Sequence, residues 1–325
     1  MLASADPALT ESLQRGLAAV ETRLREVVTS SHPMLDQAGR HLVEAGGKRV
    51  RPMLTLLAAH LGDPDTPAVI DAAVVVELTH LATLYHDDVM DEAAVRRGAP
   101  SANTRWTNTV AILTGDYLFA RASDLTASLG TDVTHIQART FARLVEGQIS
   151  ETAGPGDGAD PVEHHLRVLA DKTGSLIATS ARLGAMLAGA PAQDVETVAR
   201  FGELYGLAFQ LSDDLIDIAS EADETGKTPG TDLREGIHTL PVLLVLAADD
   251  AESGRLRELL RGDLSDDASF GEALALLRAH PAMAQARTLL QRYADEARAT
   301  VAELPAGAAR EALLALTEFV LARTG

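Results

Sequence analysis

The most informative stretch of this chain reads VVVELTHLATLYHDDVMD over residues 74–91. It starts as a strongly apolar helix and finishes on Asp87, Asp88 and Asp91, which are spaced i, i+1 and i+4. On a helix the first and last of these acids lie one turn apart on the same face. No Lys or Arg occurs in residues 52–95. The pattern therefore predicts an apolar helix that ends in an acidic cluster with no cationic partner on that helix.

A second stretch, LAFQLSDDLID over residues 207–217, repeats the arrangement with Asp213, Asp214 and Asp217. No Lys or Arg occurs in residues 201–226. Like charges one turn apart repel by about 0.2–0.5 kcal/mol, and removing them from water costs more. A hard divalent cation on the carboxylate oxygens, with phosphate completing its shell, would remove both costs. Two solvated helix ends are the alternative, but the repetition in apolar surroundings favours a site for magnesium and a diphosphate.

Lysine occurs at only three positions, Lys48, Lys172 and Lys227, and every other fixed positive side chain is Arg. The three lysines lie in the segments GGKRVRP, KTGS and GKTPGTD. Glycine lets backbone N–H groups approach an anion closely, and Ser and Thr add hydroxyl donors. A Lys ammonium is a compact charge that suits a phosphate oxygen. Ordinary loops with solvated charges are the alternative to phosphate contacts.

Composition limits the class of protein. The chain has 325 residues, of which 3% are aromatic, it has no Cys, and its net charge is −19. Abundant Ala and Leu with few aromatic residues favour helices over sheets. The acidic charge excludes nucleic acid as a partner, because a phosphate backbone must be neutralised by Lys and Arg. The absence of disulfides, of a signal peptide and of an apolar run near 18 residues predicts a cytoplasmic protein with no transmembrane segment.

Helical periodicity runs through most of the chain, and no alternating run is long enough to predict a strand. We expect ten or more helices in a single domain over residues 1–325, with the two aspartate helices as facing arms of one cavity. The segment 249–269 is acidic and predicted to be a peripheral loop. Helix starts are expected where Pro stands near the first helical position, at Pro67, Pro161, Pro191 and Pro281.

Other polar residues lie near the two acidic rows. His80 precedes Asp87 by seven residues and Gln210 precedes Asp213 by three, so each shares a helix face with an acid; a satisfied core polar group is the alternative for both. Arg96 and Arg97 either form a solvated turn or grip phosphate. His86 is expected one face away from the metal. A core or surface role is predicted for residues without an acid at ligand spacing: His135, His164, His165 and Trp106.

Taken in order, these motifs resemble those of the trans-isoprenyl (E-) diphosphate synthases, the polyprenyl synthetase family. They are GGKRxRP, the first aspartate motif followed by RRG, then KT, QxxDDxxD, GK and GTD, between Gly46 and Pro241. The resemblance implies an all-α, isoprenoid synthase-type helical bundle around a deep central cavity. It also implies a Mg²⁺-dependent enzyme that works as a homodimer.

The resemblance further implies a role for each matching residue. Metal ligands would be Asp87, Asp91 and Asp213, with the surrounding shell shaped by Asp88, Asp214 and Asp217. The allylic diphosphate would be held by Arg96, Lys172 and Lys227. Isopentenyl diphosphate would be held by Lys48, Arg51, His80 and Arg97. Thr173 and Gln210 would face the allylic carbon. The family often has Lys where this chain has Ile237, and His238 could partly replace it.

The implied reaction is head-to-tail condensation of isopentenyl diphosphate with an allylic diphosphate. Short-chain relatives carry a bulky aromatic where this chain has Ala82 and Thr83, which favours a long heptaprenyl-to-nonaprenyl product, suited to a quinone side chain. Transient membrane contact would serve product release. One alternative is a farnesyl or geranylgeranyl diphosphate synthase, in which Ala82 would serve only close packing. A second is a class I terpene cyclase, a class that lacks the lysine-containing loops. A third is a non-catalytic regulatory subunit, which is expected to have lost aspartates.

Overall fold

The computed structural model describes residues 6–219, 229–249 and 253–323, and these are mostly helical. The first eight helices are α1 (Pro7–Val27), α2 (Pro33–Glu44), α3 (Val50–Ala59), α4 (Pro67–Met90), α5 (Ala102–Arg105), α6 (Asn108–Leu129), α7 (Thr131–Ala153) and α8 (Pro161–Leu169). The next eight are α9 (Ser175–Leu187), α10 (Ala192–Ala219), α11 (Thr231–Arg234), α12 (Leu240–Ala247), α13 (Gly254–Leu260), α14 (Asp267–Ala279), α15 (Pro281–Ala302) and α16 (Ala308–Ala322). A π-helical turn, Ala170–Gly174, joins α8 to α9. The all-α prediction is confirmed.

The predicted helix starts are confirmed. Pro67, Pro161 and Pro281 begin α4, α8 and α15, and α10 begins one residue after Pro191. Proline is tolerated there because the first N–H groups of a helix have no intrahelical acceptor. At α8 the Asp160 carboxylate also accepts the N–H of Val162 at 2.8 Å, which satisfies another of these donors.

Two expectations about irregular segments are wrong. The stretch Val95 to Pro100 forms a hairpin of two-residue strands, β1 (Val95–Arg96) and β2 (Ala99–Pro100), where no strand was expected. The segment 249–269 includes the helix α13, with Leu256, Leu259 and Leu260 buried. Their spacing of i, i+3 and i+4 places one apolar face on a short helix, and the many acids of the segment conceal this pattern.

The helix that carries the first acidic row, α4, is a core helix. Its residues from Ala72 to Thr79 are all buried. Its length and hydropathy would allow it to cross a membrane, contrary to the expectation that no apolar stretch reaches that length, but 67% of its most apolar window is buried inside the protein. A buried helix of a folded core has the same composition, because it is apolar on all sides.

Contacts divide the chain into two units that interleave in sequence. The first unit comprises Met1–Ala142, Leu176–Gly202 and Glu303–Leu313, and it contains α4. The second comprises Arg143–Ser175, Glu203–Ala302 and Leu314–Gly325, and it contains the second acidic row. Each unit is described separately below. The single domain over residues 1–325 and the facing arms of one cavity therefore remain predictions.

Candidate functional site

The first aspartate cluster, Asp87, Asp88 and Asp91, lies at the end of α4 in the first unit. Asp88 is fully buried, Asp87 is half-buried and Asp91 is exposed. The Asp88 Oδ1 atom accepts a hydrogen bond from Arg96 Nε at 2.6 Å, whereas Oδ2 is buried with no hydrogen-bond partner in the described part of the chain. Burial raises the pKa of Asp88, and the Arg96 guanidinium opposes that shift. A buried carboxylate oxygen with unused acceptor capacity suits a hard cation.

The same unit contains a cationic group made of Arg49, Arg51 and Arg97. Arg49, just before α3, and Arg97, in the β1–β2 hairpin, both contact Glu77. This fully buried acid accepts from Arg49 Nη1 at 2.9 Å and has Arg97 Nη2 at 3.6 Å. Glu21 accepts from Arg49 Nε at 2.5 Å. Burial lowers the pKa of Arg51 to about 10, although Glu77 opposes the shift and Arg97 adds to it. Three Arg side chains therefore face two Glu, and the local charge favours an anion.

The backbone of this cationic group is unusual. Arg49 and Arg97 adopt left-handed conformations with φ of 47° and 54°, which side chains other than Gly adopt rarely. Gly47 has a φ of 141°, and a Cβ atom there would lie only 2.8 Å from Arg97 Cζ. A side chain at position 47 would therefore be strained in its backbone and would displace the Arg97 guanidinium. Such strained backbone is typical of binding sites whose side chains must be aimed precisely in space.

His80 and Lys48 complete the residues that the resemblance assigns to isopentenyl diphosphate. The pKa of His80 lies well below its ordinary value of 6.5, because the ring is buried and Arg51, Arg97, Arg96 and Arg49 repel a positive charge there. His80 is therefore neutral at neutral pH and can donate one hydrogen bond. Lys48 is exposed, so its side chain can reach an incoming anion from solvent.

The second aspartate cluster, Asp213, Asp214 and Asp217, lies on α10 in the second unit. Asp213 forms an ion pair with Arg323, which follows the end of α16 and is 110 residues away in sequence. Asp214 is buried, and its Oδ2 atom lies 3.1 Å from His165 Nε2. His165 has no acid at ligand spacing in the sequence, and the fold brings it to Asp214. No Lys or Arg follows Arg200 on α10, but tertiary contacts supply partners for Asp213 and Asp214.

Asp217 has a different task from the other two acids of its cluster. Its carboxylate accepts the N–H groups of Thr231 at 3.1 Å and Asp232 at 3.2 Å, and its carbonyl oxygen accepts the N–H of Gly230 at 2.7 Å. These bonds cap the start of α11 and tie it to α10. Asp217 therefore positions the end of the GKTPGTD segment. Lys227 itself lies outside the described residues.

Lys172 and Thr173 lie in the π-helical turn of the second unit, a conformation that often marks functional positions. Lys172 Nζ lies 2.5 Å from a carboxylate oxygen of Glu151. The Thr173 hydroxyl lies 3.5 Å from Gln210 Oε1, so the two residues predicted to face the allylic carbon are close together. The neighbouring Asp171 accepts from Arg143 Nε at 2.5 Å, which holds the turn in place.

The chain-length positions lie on α4, one turn before the first cluster. Ala82 is fully buried, and the Thr83 hydroxyl donates to the carbonyl of His80 at 2.8 Å. A Cβ atom added to Gly115 of α6 would come 3.1 Å from the Ala82 carbonyl and 2.3 Å from His86 Nε2. The two helices therefore approach closely here. His86 Nε2 lies 3.0 Å from the carbonyl of Ile112 on α6, so this ring faces α6.

Three functional candidates escaped the sequence analysis: Glu77, His165 and Arg323. Glu77 gave a signal, since it is the one Asp, Glu, Lys or Arg between Asp71 and Asp87 in an apolar helix. His165 and Arg323 gave none, because their acids are distant in sequence. The described residues include no three His, Asp or Glu side chains arranged to hold a metal.

An all-α protein with two aspartate clusters, each accompanied by Arg or Lys, belongs to the class that binds metal-complexed diphosphates. The family model for polyprenyl synthetase matches residues 32–299. The nonaprenyl diphosphate synthase of Mycobacterium tuberculosis is 50% identical, over 98% of this chain and 96% of the relative. The chain therefore belongs to the polyprenyl synthetase family.

Solved structures agree with this assignment. A geranylgeranyl pyrophosphate synthase from Corynebacterium glutamicum, complexed with calcium and isoprenyl diphosphate, matches with a TM-score of 0.90 and 47% identity, over 99% of each chain. A decaprenyl diphosphate synthase from Rhodobacter capsulatus matches with a TM-score of 0.89 and 37% identity, over 98% of this chain and 99% of the other. The predicted isoprenoid synthase-type fold is confirmed.

Proposed function

We propose that this chain is a prenyltransferase that condenses isopentenyl diphosphate with an allylic diphosphate, head to tail, to give a long-chain all-trans polyprenyl diphosphate. The observation that carries the proposal is the pairing of each aspartate cluster with its own cationic side chains. Carboxylates bind a divalent cation and guanidinium or ammonium groups bind phosphate oxygens, and both are needed for a diphosphate leaving group. The related nonaprenyl and decaprenyl diphosphate synthases support a long product.

Mg²⁺ fits the residues present. The donor set is carboxylate oxygen alone, which hard cations prefer, and the buried Asp88 Oδ2 atom has an unused acceptor site. We propose that Asp87, Asp91 and Asp213 hold the metal. When bound, the cation stabilises negative charge on a departing diphosphate. Calcium in the related geranylgeranyl pyrophosphate synthase supports a divalent-cation site.

The remaining polar residues would divide between the two substrates. In the first unit Lys48, Arg51, Arg97 and the neutral His80 would hold isopentenyl diphosphate. The allylic diphosphate would be held by Arg96, Lys172 and Lys227. The Thr173 hydroxyl and the Gln210 amide oxygen, which lie together in the second unit, would orient toward the positive charge on the allylic carbon. No dedicated base is required, since the departed diphosphate can accept the proton.

Product length would follow from the small residues before the first cluster. Ala82 and Thr83 are small residues at positions where an aromatic side chain would block a growing hydrocarbon. We propose a product of the heptaprenyl-to-nonaprenyl class, suited to a quinone side chain. The related geranylgeranyl pyrophosphate synthase makes a shorter product the alternative to exclude.

We also propose a cytoplasmic homodimer that contacts membrane only transiently, when it releases product. Two apolar side chains on α6 are exposed, Ile112 to 42% and Leu113 to 55%. They support a homodimer in which a second copy of the chain covers this face. The net charge of −19 supports a soluble body that a negatively charged lipid surface does not retain.

The deciding experiment incubates the purified chain alone with labelled isopentenyl diphosphate, successive allylic primers and Mg²⁺, with an EDTA-treated control. Chromatography of the dephosphorylated products is expected to show seven to nine isoprene units. A product that stops at geranylgeranyl would refute the long-chain proposal. Isopentenyl-independent conversion of the primer would identify a terpene cyclase, and absence of turnover without a second chain would identify a regulatory subunit.

A further inference from the structure

The contact between Arg323 and Asp213 is not explained by the roles given so far. Arg323 lies just beyond α16, and its Nη2 atom donates to Asp213 Oδ1. Its guanidinium carbon lies 4.7 Å from the centre of the Phe209 ring and 5.8 Å from that of Phe319. Stacking of this kind holds a guanidinium in a defined plane. Arg323 is thus positioned against the first acid of the second cluster.

The same guanidinium has a donor to spare. Arg323 Nη1 is buried and has no hydrogen-bond partner in the described part of the chain. Leaving a buried charged donor unpaired is costly, so such a group calls for a specific purpose. The two Nη atoms belong to one planar fork, whose geometry matches the oxygens of phosphate. An anion beside Asp213 would satisfy the spare donor.

We propose that Arg323 is a diphosphate-binding residue of the second cluster. It neutralises Asp213 until a divalent cation takes that carboxylate, and its fork then binds the oxygens of the metal-bound diphosphate. This inference rests on the proposed function, because it assumes that Asp213 is a metal ligand. It assigns to the second cluster an Arg partner from the far end of the chain, comparable to Arg96 at the first cluster.

Inorganic pyrophosphate with Mg²⁺ is the direct probe, and calorimetry measures its dissociation constant without turnover. Arg323→Gln should raise that constant about ten- to a hundredfold, the loss expected for a charge-assisted hydrogen bond pair. Arg323→Lys should lie between, since Lys retains the charge but not the fork. In steady-state assays Arg323→Gln should raise KM for the allylic diphosphate more than KM for isopentenyl diphosphate.

Two matched variants separate binding from folding. Arg278 also donates to α10, through Nε to the carbonyl of Ile218 at 2.7 Å, but it is not assigned to the site. Arg278→Gln should leave the pyrophosphate constant unchanged. Ser212→Ala removes the 3.3 Å bond to the Val320 carbonyl and reports on docking of α16 through its Tm.

The outcomes are distinguishable. An unchanged pyrophosphate constant in Arg323→Gln, whatever happens to its Tm, would overturn the proposal and leave Arg323 a packing residue. Tighter Mg²⁺ binding with unchanged pyrophosphate binding would also overturn it, since Arg323 would then be only a competitor for Asp213. If wild-type protein fails to bind pyrophosphate with Mg²⁺ or to turn over, the proposed function fails first.

Discussion

The two aspartate clusters share one spacing but obtain their cations in different ways. Asp88 is paired with Arg96, eight residues further along the chain in the adjoining hairpin. Asp213 is paired with Arg323, 110 residues away. The first cluster is thus completed by local structure, whereas the second depends on the docking of a terminal helix. The same helical pattern of acids can therefore be partnered at short or long range.

This difference has a consequence for how each cluster is held. The hairpin beside the first cluster relies on Arg97 in a left-handed conformation and on Gly47, which has no Cβ to clash with it. The second cluster relies on helix capping, since Asp217 accepts two backbone N–H groups at the start of α11. The first site is shaped by backbone strain and the second by hydrogen bonds between elements. Mutations should expose the two dependencies separately.

The largest effect is expected from removing a proposed metal ligand in either cluster. Asp87→Ala and Asp213→Ala should each lower kcat by about a thousandfold or more, because each removes a proposed metal ligand. Asp213→Ala also breaks the ion pair with Arg323. Steady-state assays at saturating Mg²⁺, with circular dichroism for folding, measure this. Asp124→Ala, an exposed acid on α6, is the matched control. Near-normal turnover of either variant would show that its cluster does not bind the metal.

A tenfold to hundredfold effect is expected from removing one lysine in each unit. Lys48→Ala should mainly raise KM for isopentenyl diphosphate, and Lys172→Ala should mainly raise KM for the allylic substrate. Each variant loses a charge-assisted hydrogen bond to phosphate, which contributes about 1.5–3 kcal/mol of binding free energy. Glu151→Gln, which frees Lys172 from its 2.5 Å partner, serves as a control for the ion pair itself. Equal changes in both KM values for both variants would contradict the division between substrates.

A change in product rather than rate is expected at Ala82. Ala82→Phe adds a large side chain at a fully buried position, and it should shorten the product while isopentenyl incorporation continues. Chromatography of dephosphorylated products from wild type and variant measures the shift, and Tm measures the overpacking cost, which is about 1–3 kcal/mol. Unchanged product length with a lowered Tm would mean that Ala82 serves only the close approach of α4 to α6.

The smallest effect is expected from pH. It concerns the stability of the first unit, where His80 lies near Arg49, Arg51 and Arg97. The pKa of His80 is lower in the folded protein than the ordinary 6.5, so the unfolded chain binds more protons between the two values. Stability should therefore fall as pH drops below about 6.5. His80→Gln should flatten this part of the Tm profile between pH 7 and 5, measured without metal. His135→Gln, at an exposed position, should leave it unchanged; equal flattening would remove His80 as the cause.

Much of the fold could be predicted because the signals are local. Helix starts follow from Pro at the first position, as at Pro161, and the all-α class follows from periodicity and composition. The helix α13 was missed because its three buried leucines lie among acids that suggest a loop. The hairpin at Val95 to Pro100 was missed because two residues per strand leave no alternation to detect.

By itself the sequence determined the helices, the two acidic rows and the Gly- and Thr-containing segments that carry Lys48 and Lys172, since each depends on residues a few positions apart. Only the tertiary structure decided what those groups contact. It placed Arg323 on Asp213, His165 on Asp214 and Arg49 on Glu77. The physical reason is that a helix face is set by a period of 3.6 residues, whereas an ion pair across 110 residues is set by how whole helices pack.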